Sequence, residues 1–233
     1  MAVSIDTVYQ RVLTLAHKEQ RGYITPQEFN LLANQAQMEI FEQYFYEEKQ
    51  AEKNLKNSTQ FSNVDEMLDE KISIFKQESV ITVVAGFGTL PFDLHRLGSL
   101  LVSATNVEIE QVTEEEIMYL LQSPLARPTT SFPAFVRTNF ERVKLYPQPP
   151  STFPGIHCQY IKLPVKAQWG YIVVNEKALY NSGQSQDFEL HTSDEAELVY
   201  KILALSGVVI AKPGIKDIGN QEILTQKTQE KQQ

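Results

Sequence analysis

The sequence predicts an α+β fold in which long N-terminal helices and a C-terminal helix form a helical bundle, with a β-sandwich or barrel-like domain between them. Three observations lead to this prediction. A capped helix start precedes an apolar stripe near the N-terminus, short β-branched runs and most of the eleven prolines follow, and a second capped, apolar-striped segment comes last. The predicted boundaries are 1–77 for the N-terminal helices, 78–191 for the β-rich domain, and 192–233 for the C-terminal helix and tail.

Two helices are predicted at the N-terminus. The first is short and is indicated by apolar residues three and four apart: Ile5, Val8, Val12, Leu15 and Ala16. The second begins in GYITPQEFN, where Thr25 can cap the helix, Pro26 suits its first position and Glu28 completes a capping box. It has room for about 30 residues. Its apolar face, which needs a partner, comprises Phe29, Leu32, Ala33, Ala36, Ile40, Tyr44 and Phe45.

The middle of the chain is predicted to consist of short strands. After a break, MLDEKISIFKQ is either another short helix or the lead into the first strand. VITVV, SLLVSAT and VEIEQV are β-branched or alternating runs, and FERVKLYPQPP, IHCQYIKLP and WGYIVV follow between prolines and glycines. One helix interrupts the strands, because Thr113 and Glu116 in TEEEIMYLL have capping-box spacing. The next segment, SPLARPTTSFP, is expected to be an exposed, kinked loop.

A helix is predicted to return after the β-rich region. Thr192 and Glu195 repeat the capping-box spacing, and an apolar stripe formed by Leu198, Ile202 and Leu205 follows. Gly207 indicates its end. The tail beyond Ile218 is polar and is expected to be a frayed helix, or a segment that orders only on a partner.

Residues that catalyse reactions or bind metals form no known motif in this sequence. The glycines Gly86 and Gly88 lack the third glycine, the lysine and the helix of a phosphate loop, so a tight turn between strands is the better interpretation. Cys158 is the sole cysteine and is expected to be a buried thiol in a strand. The run Glu114–Glu116 is interpreted as complementing a helix dipole. The four histidines lie far apart in unlike contexts: His17, His95, His157 and His191.

Charge and hydropathy exclude several classes of protein. The net charge is −8, with 29 acidic against 21 basic residues, which argues against a protein that grips nucleic acid by its phosphates. Ordinary solubility, or a surface past which DNA slides, fits this balance. No apolar run approaches the roughly 20 residues of a membrane span, and the N-terminus lacks the pattern of a signal peptide. We therefore expect a protein made and used inside a cell, or in something assembled there.

Two stretches and the last helix carry a resemblance to a known family. LPFDLHRLGSLLV at 90–102, FERVKLYPQPPSTFPGIHCQYIKLP at 140–164 and the helix EAELVYKILALSGVVI resemble the head-to-tail connector proteins of tailed phages. More narrowly, they are similar to the tail tubular protein A type of adaptor in short-tailed phages and to related portal-proximal ring proteins. The matching residues have structural roles in this family: Leu90, Pro91, Asp93, Leu94, Leu97, Leu145, Tyr146, Pro147, Pro149, Tyr160 and Pro164.

The resemblance implies a virion structural protein that forms a ring at the phage neck, assembled in the host cytoplasm. Such a ring consists of about twelve copies, each next to its neighbours, and joins the portal protein to the next tail or ring protein. DNA passes through its channel without specific binding. The long helix would be a packing spine, with its Asn and Gln residues bonding across subunits. No catalytic residue, cofactor, metal or membrane is implied. The portal-docking candidates are Leu198, Ile202, Leu205, Lys212 and Lys216, and the tail or fibre contact candidates are Pro124, Arg127, Pro128 and Phe132.

Three other functions are compatible with the sequence. A different virion part, such as an internal or head protein, would share the composition without forming a ring. A soluble hydrolase would need a pocket with convergent polar groups. A cellular helical adaptor would leave the β-rich middle without a role.

Overall fold

The computed structural model describes residues 3–18, 24–55, 64–147, 155–209, 221, 224 and 225. Within this part the fold is mixed α+β, with five α-helices and a nearly closed, barrel-like sheet of eight strands, as the α+β prediction required. The chain divides into two compact units. The helical unit comprises Met1–Ile74 and Pro164–Gln233, and the barrel unit comprises Phe75–Leu163. Residues 164–191, which the sequence analysis assigned to the β-rich domain, therefore belong to the helical unit.

Four of the α-helices and a small two-stranded sheet lie in the helical unit. The helices are α1 (Ile5–Lys18), α2 (Pro26–Leu55), α3 (Val64–Ser73) and α5 (Glu195–Val209). The small sheet is a hairpin of β9 (Tyr171–Val174) and β10 (Lys177–Tyr180). Helix α5 packs against both α1 and α2, and α3 packs against α2.

Helix α2 starts and runs as the sequence predicts. The Thr25 backbone N–H donates to Glu28 Oε2 at 3.0 Å, and the Glu28 N–H donates to Thr25 Oγ1 at 3.3 Å, which is a complete capping box. These hydrogen bonds lower the pKa of Glu28. The helix covers 30 residues. Its predicted apolar face is buried except for a half-exposed Leu32, and Phe41 adds to it.

Helix α5 differs from the prediction at both ends. Thr192 lies in a 3₁₀ turn, Thr192–Asp194, and α5 starts only at Glu195. The capping-box prediction for Thr192 was therefore wrong, and the turn is capped instead by the His191 ring, which accepts from the Ser193 N–H. Gly207 was expected to end the helix, but α5 continues through it to Val209 with Gly207 buried.

The barrel unit contains eight strands and helix α4 (Glu114–Gln122). The strands are β1 (Lys76–Ile81), β2 (Val83–Val84), β3 (Phe87–Thr89), β4 (Leu94–Val102), β5 (Glu108–Gln111), β6 (Ala134–Arg137), β7 (Arg142–Tyr146) and β8 (Ile156–Lys162). Their spatial order is β1-β8-β4-β5-β6-β7-β3-β2, with β5 and β6 parallel and the other pairs antiparallel. The two edge strands, β1 and β2, are separated by one residue, Thr82, so the sheet must curl until its edges approach each other.

The barrel core is apolar. Alternating strand residues point inward and form one buried cluster that includes Leu94, Leu100, Phe135, Val143 and Ile156. A second, smaller cluster lies under α4, where Ile117 packs with Val112, Ala134, Val136 and Tyr146. The capping box predicted for α4 is present, because Thr113 Oγ1 accepts from the Glu116 N–H and the Glu116 carboxylate accepts from the Thr113 N–H.

The first and last strands of the barrel unit are partners. Lys76 at the start of β1 pairs with Ile161 near the end of β8. The Lys162 N–H also donates to the Phe75 carbonyl oxygen at 2.9 Å. The chain thus begins and finishes this unit at one place.

The glycine and cysteine predictions in this unit can be compared with the structure. Ala85 and Gly86 form the two-residue turn between β2 and β3, both with positive φ, as predicted for Gly86. Gly88 lies in β3 instead, where an added Cβ would come within 3.0 Å of Ile81 and Val143. Cys158 is fully buried in β8, which confirms the expected buried thiol. Burial raises its pKa to about 11.

Candidate interaction surfaces

The hairpin formed by β9 and β10 exposes apolar side chains to solvent. Its turn residues, Asn175 and Glu176, have φ of 49° and 63°, which is the geometry of a tight two-residue hairpin. The cross-strand partners are Ile172 with Leu179 and Val174 with Lys177, so these four side chains share one face. Ile172, Val174 and Leu179 are 52%, 46% and 53% exposed. We call these three residues the hairpin face.

The opposite side of the hairpin is anchored in its own unit. Tyr171 stacks on Trp169 with ring centroids 5.8 Å apart, and the Tyr180 ring lies at the same distance. Trp169 is buried and donates through Nε1 to Asp6 Oδ1 at 3.0 Å. An added Cβ on Gly170 would approach the Gln184 backbone to 2.6 Å, so only glycine fits beside that segment. The hairpin face is therefore held at its base by a rigid aromatic cluster.

The polar side chains of α2 bind the chain's own backbone. Asn30 accepts from the Trp169 N–H at 2.8 Å and donates to its carbonyl oxygen at 3.2 Å. One and two turns later, Asn34 and Gln37 donate to the carbonyl oxygens of Ala167 and Val165, each at 2.8 Å. We call this series the amide ladder.

Two further amides of α2 also have partners inside the chain. Gln35 donates to Glu39 at 3.1 Å and Gln43 donates to Glu47 at 2.7 Å, both within the helix. The expectation that the Asn and Gln residues of α2 bond across subunits is therefore corrected for Asn34, which binds the segment after β8. This segment forms no strand of the eight-stranded sheet, although Gln168 makes an isolated bridge to Gln186.

A buried ion pair joins three elements of the helical unit. Lys71 of α3 lies 2.7 Å from Asp194 Oδ1, and the Tyr44 hydroxyl of α2 donates to Asp194 Oδ2. Asp194 is 1% exposed and Lys71 is 8% exposed. Burial, together with the nearby carboxylate, raises the pKa of Tyr44 well above its usual range. We call Tyr44, Lys71 and Asp194 the polar triad. Because each member binds another, the arrangement holds α2, α3 and the 3₁₀ turn Thr192–Asp194 together.

Helix α4 and its following loop expose a second apolar area. Met118 and Tyr119 are 61% and 74% exposed, and Glu115 lies one turn earlier on the same side of the helix. We call Glu115, Met118 and Tyr119 the α4 surface. Among the predicted tail or fibre contacts, Pro124, Arg127 and Phe132 are exposed as expected of the loop, but Pro128 is buried. Pro128 is thus corrected to a packing residue.

The predicted portal-docking stripe lies mostly inside the helical unit. Leu198 and Ile202 are fully buried, and Leu205 is half-buried. These leucine and isoleucine side chains pack in the chain's own core, so a portal contact by α5 would have to use its outward residues. Lys212 and Lys216 lie outside the described residues.

The titratable residues singled out in the sequence stay apart. His157 Nδ1 lies 2.9 Å from Glu78 Oε1 on neighbouring strands of the barrel unit, and His191 Nδ1 lies 2.8 Å from Ser193 Oγ in the helical unit. Within the described ranges, no three His, Cys, Asp or Glu side chains are grouped as a metal site.

The hairpin face was not predicted from the sequence. Its signal is present, because two apolar runs separated by Asn-Glu in YIVVNEKALY indicate a hairpin.

No family model matches this chain, and no curated protein sequence matches it. Over the part of the chain that the structure covers, no helix has the length and hydropathy to span a bilayer.

Proposed function

We propose that this chain is a virion structural protein that forms a ring at the phage neck, joins the portal to the tail and serves as a platform for tail assembly. The observation that supports the proposal is the hairpin face, an apolar sheet surface held in place by the Trp169 cluster and exposed to solvent. A rigid apolar surface of this kind is typical of a protein that works by contact with other chains.

Three further features are part of this proposal. The helices of the helical unit form a bundle that acts as the packing spine of the ring. The net charge of −8, from 29 acidic and 21 basic residues, repels the DNA phosphates, so that DNA passes through the channel without binding. The exposed loop residues Pro124, Arg127 and Phe132 contact the next tail or ring protein or the fibres.

Location on the particle tests the function directly. An antibody raised to this chain is applied to virions from lysates that contain it, and the label is located by negative-stain electron microscopy. Label confined to the single vertex where head meets tail is the expected result. Label spread over the capsid, or its absence from particles, would overturn the proposal and favour an internal protein or an enzyme.

Portal docking has its own test. We expect removal of residues 212–233 to abolish recruitment to purified portal rings, because Lys212, Lys216 and the polar tail are the remaining docking candidates. The matched control exchanges Arg127 for Ala in the intact chain and should leave portal recruitment unchanged. Recruitment of the shortened chain at the wild-type level would reject the tail as the docking segment.

A further inference from the structure

We propose that the hairpin face of one copy binds the α4 surface of a neighbouring copy. The inference rests on the proposed function, since it specifies how adjacent copies in a ring recognise each other. The partner is a second copy of this chain because one surface is a sheet face and the other a helix face, and the two carry opposite charges.

The two surfaces match as a sheet and a helix do in a protein core. Ile172, Val174 and Leu179 form an aliphatic patch on one side of a two-stranded sheet. Met118 and Tyr119 are adjacent on the outer side of α4 and offer two long side chains to cover such a patch. A helix laid on a sheet face is a standard way for both elements to bury apolar surface.

The charges favour this pairing over α4 against α4. Lys177 lies on the same side of the hairpin as the hairpin face and is exposed. Three exposed carboxylates stand in the first turn of α4, Glu114–Glu116, and Glu115 is on the α4 surface itself. Hairpin against α4 brings opposite charges together, whereas α4 against α4 would bring six carboxylates together. Like charges across an interface suppress the wrong partner.

The contact joins two different surfaces, so it can repeat from copy to copy. Such a heterologous interface closes into a ring or continues as a filament, and each copy makes the contact twice. The hairpin face is far smaller than the roughly 800 Å² per partner of a stable interface. A single contact is therefore weak in solution, and repetition around a ring provides the stability.

Cross-linking between two different variants tests the contact. Lys177→Cys and Glu115→Cys are purified separately, mixed at high concentration and treated with a short bismaleimide. Cys158 is buried, so the native thiol stays silent. We expect a covalent dimer in the mixture and none with either variant alone. The matched control pairs Lys177→Cys with Glu108→Cys, an exposed position at the start of β5 in the same barrel unit as α4. Equal cross-linking in the control, or none in the mixture, would overturn the inference.

Charge reversal gives a second, independent readout. Lys177→Glu and Glu115→Lys should each weaken self-association about two- to fivefold in sedimentation equilibrium, as expected for an exposed ion pair. A chain with both changes should regain the wild-type value. No recovery in the double variant contradicts the pairing.

The outcome is separable from that of the proposed function. A cross-link without label at the neck leaves the copy-to-copy contact standing and rejects the connector. Label at the neck without a cross-link rejects the contact alone.

Discussion

The two units of the molecule are built with different kinds of interior. All five of the buried polar or charged residues among the described positions, Gln37, Lys71, Asp194, Glu197 and Ser206, lie in the helical unit. Among its described residues the barrel unit buries no charged or amide side chain, and its most polar buried groups are the Cys158 thiol and the hydroxyls of Tyr146 and Tyr160. Directional hydrogen bonds specify one arrangement of helices, whereas apolar packing tolerates substitutions of similar volume. We therefore expect the stability of the helical unit to depend on its buried hydrogen-bonding and charged groups, and the stability of the barrel unit to depend on the volume of its buried side chains.

The largest difference should appear at the polar triad. Asp194→Ala removes the buried carboxylate that pairs with Lys71 and accepts from the Tyr44 hydroxyl, so we expect the free energy of unfolding to fall by about 3–5 kcal/mol. Urea denaturation followed by the fluorescence of Trp169, the sole tryptophan, reports on this unit.

The control for the triad is a neutral replacement of the pair. Lys71→Met combined with Asp194→Leu removes both charges and should recover much of the lost free energy of unfolding. A loss below about 1 kcal/mol for Asp194→Ala would show that the triad contributes little.

A cavity in the barrel core should have the next largest effect. Leu100 is fully buried, and Leu100→Ala should lower the free energy of unfolding by about 3 kcal/mol, measured by urea denaturation and far-ultraviolet circular dichroism. Leu100→Met keeps the volume and should cost less than about 1.5 kcal/mol. If Leu100→Met were as damaging as Leu100→Ala, the barrel core would be sensitive to more than volume.

Alkaline pH should weaken both units through the weak acids that they bury, and Tyr160 of the barrel unit, whose pKa burial raises to about 12, adds to the loss above pH 10. The pKa of Cys158 rises from 9.0 to about 11, so the thiol stabilises the barrel unit below pH 9 and this contribution is lost between pH 9 and 11. The loss amounts to about 2–3 kcal/mol. Tyr44 acts in the same direction in the helical unit, but only above pH 10, where tyrosine ionises in the unfolded chain.

Two variants distinguish these contributions in urea denaturation across pH 8–11. Cys158→Ala should flatten the dependence between pH 9 and 10, and Tyr44→Phe should flatten it only above pH 10. An unchanged slope in Cys158→Ala would mean that the thiol is not the group that titrates.

Loss of one amide of the ladder should have a smaller effect. Asn34→Ala removes the donor to the buried Ala167 carbonyl oxygen and should cost about 1–2 kcal/mol in urea denaturation. The control is Gln35→Ala on the exposed side of the same helix, which should change stability by less than about 0.5 kcal/mol. If both changes lowered the free energy of unfolding equally, the amide ladder would not contribute to stability.

The smallest effect should be the same in both units. Thr25 caps α2 and Thr113 caps α4 with the same capping box, so each Thr→Ala change should cost about 1 kcal/mol, measured by urea denaturation. Capping depends on local geometry and not on the kind of core. A difference above about 1 kcal/mol between the two variants would show that the surrounding unit alters the cap.

Local features were predictable from the sequence and distant partners were not. The start and length of α2, the cap of α4 and the buried Cys158 depend on residues close together in the chain, and the structure has them as expected. The amide ladder was hidden although Asn30, Asn34 and Gln37 have helical spacing, because their acceptors lie 128–139 residues further along. The boundary predicted at 191 differs from the division of the structure at Pro164 for the same reason, since the β9–β10 hairpin reads as part of a β-rich region although it lies in the helical unit.

The candidate surfaces divide in the same way. The exposed loop residues Pro124, Arg127 and Phe132 were recognisable from their prolines and neighbours, whereas the burial of Pro128 depends on tertiary packing. Leu198 and Ile202 were predicted as an apolar stripe, but a stripe does not show whether its partner is the chain's own core or another protein. In the structure their partner is the core of the helical unit.

Because β1 pairs with β8, the barrel unit is an insertion whose two ends lie next to each other. Its two ends meet where the Lys162 N–H binds the Phe75 carbonyl oxygen, so a short linker from Ile74 to Pro164 could replace all of residues 75–163. Insertions with adjacent ends are also those that a host fold accepts most readily, since they add little loop-closure entropy. The barrel could therefore have been gained, exchanged or lost as one piece during evolution, while the helices and the amide ladder stayed as they are.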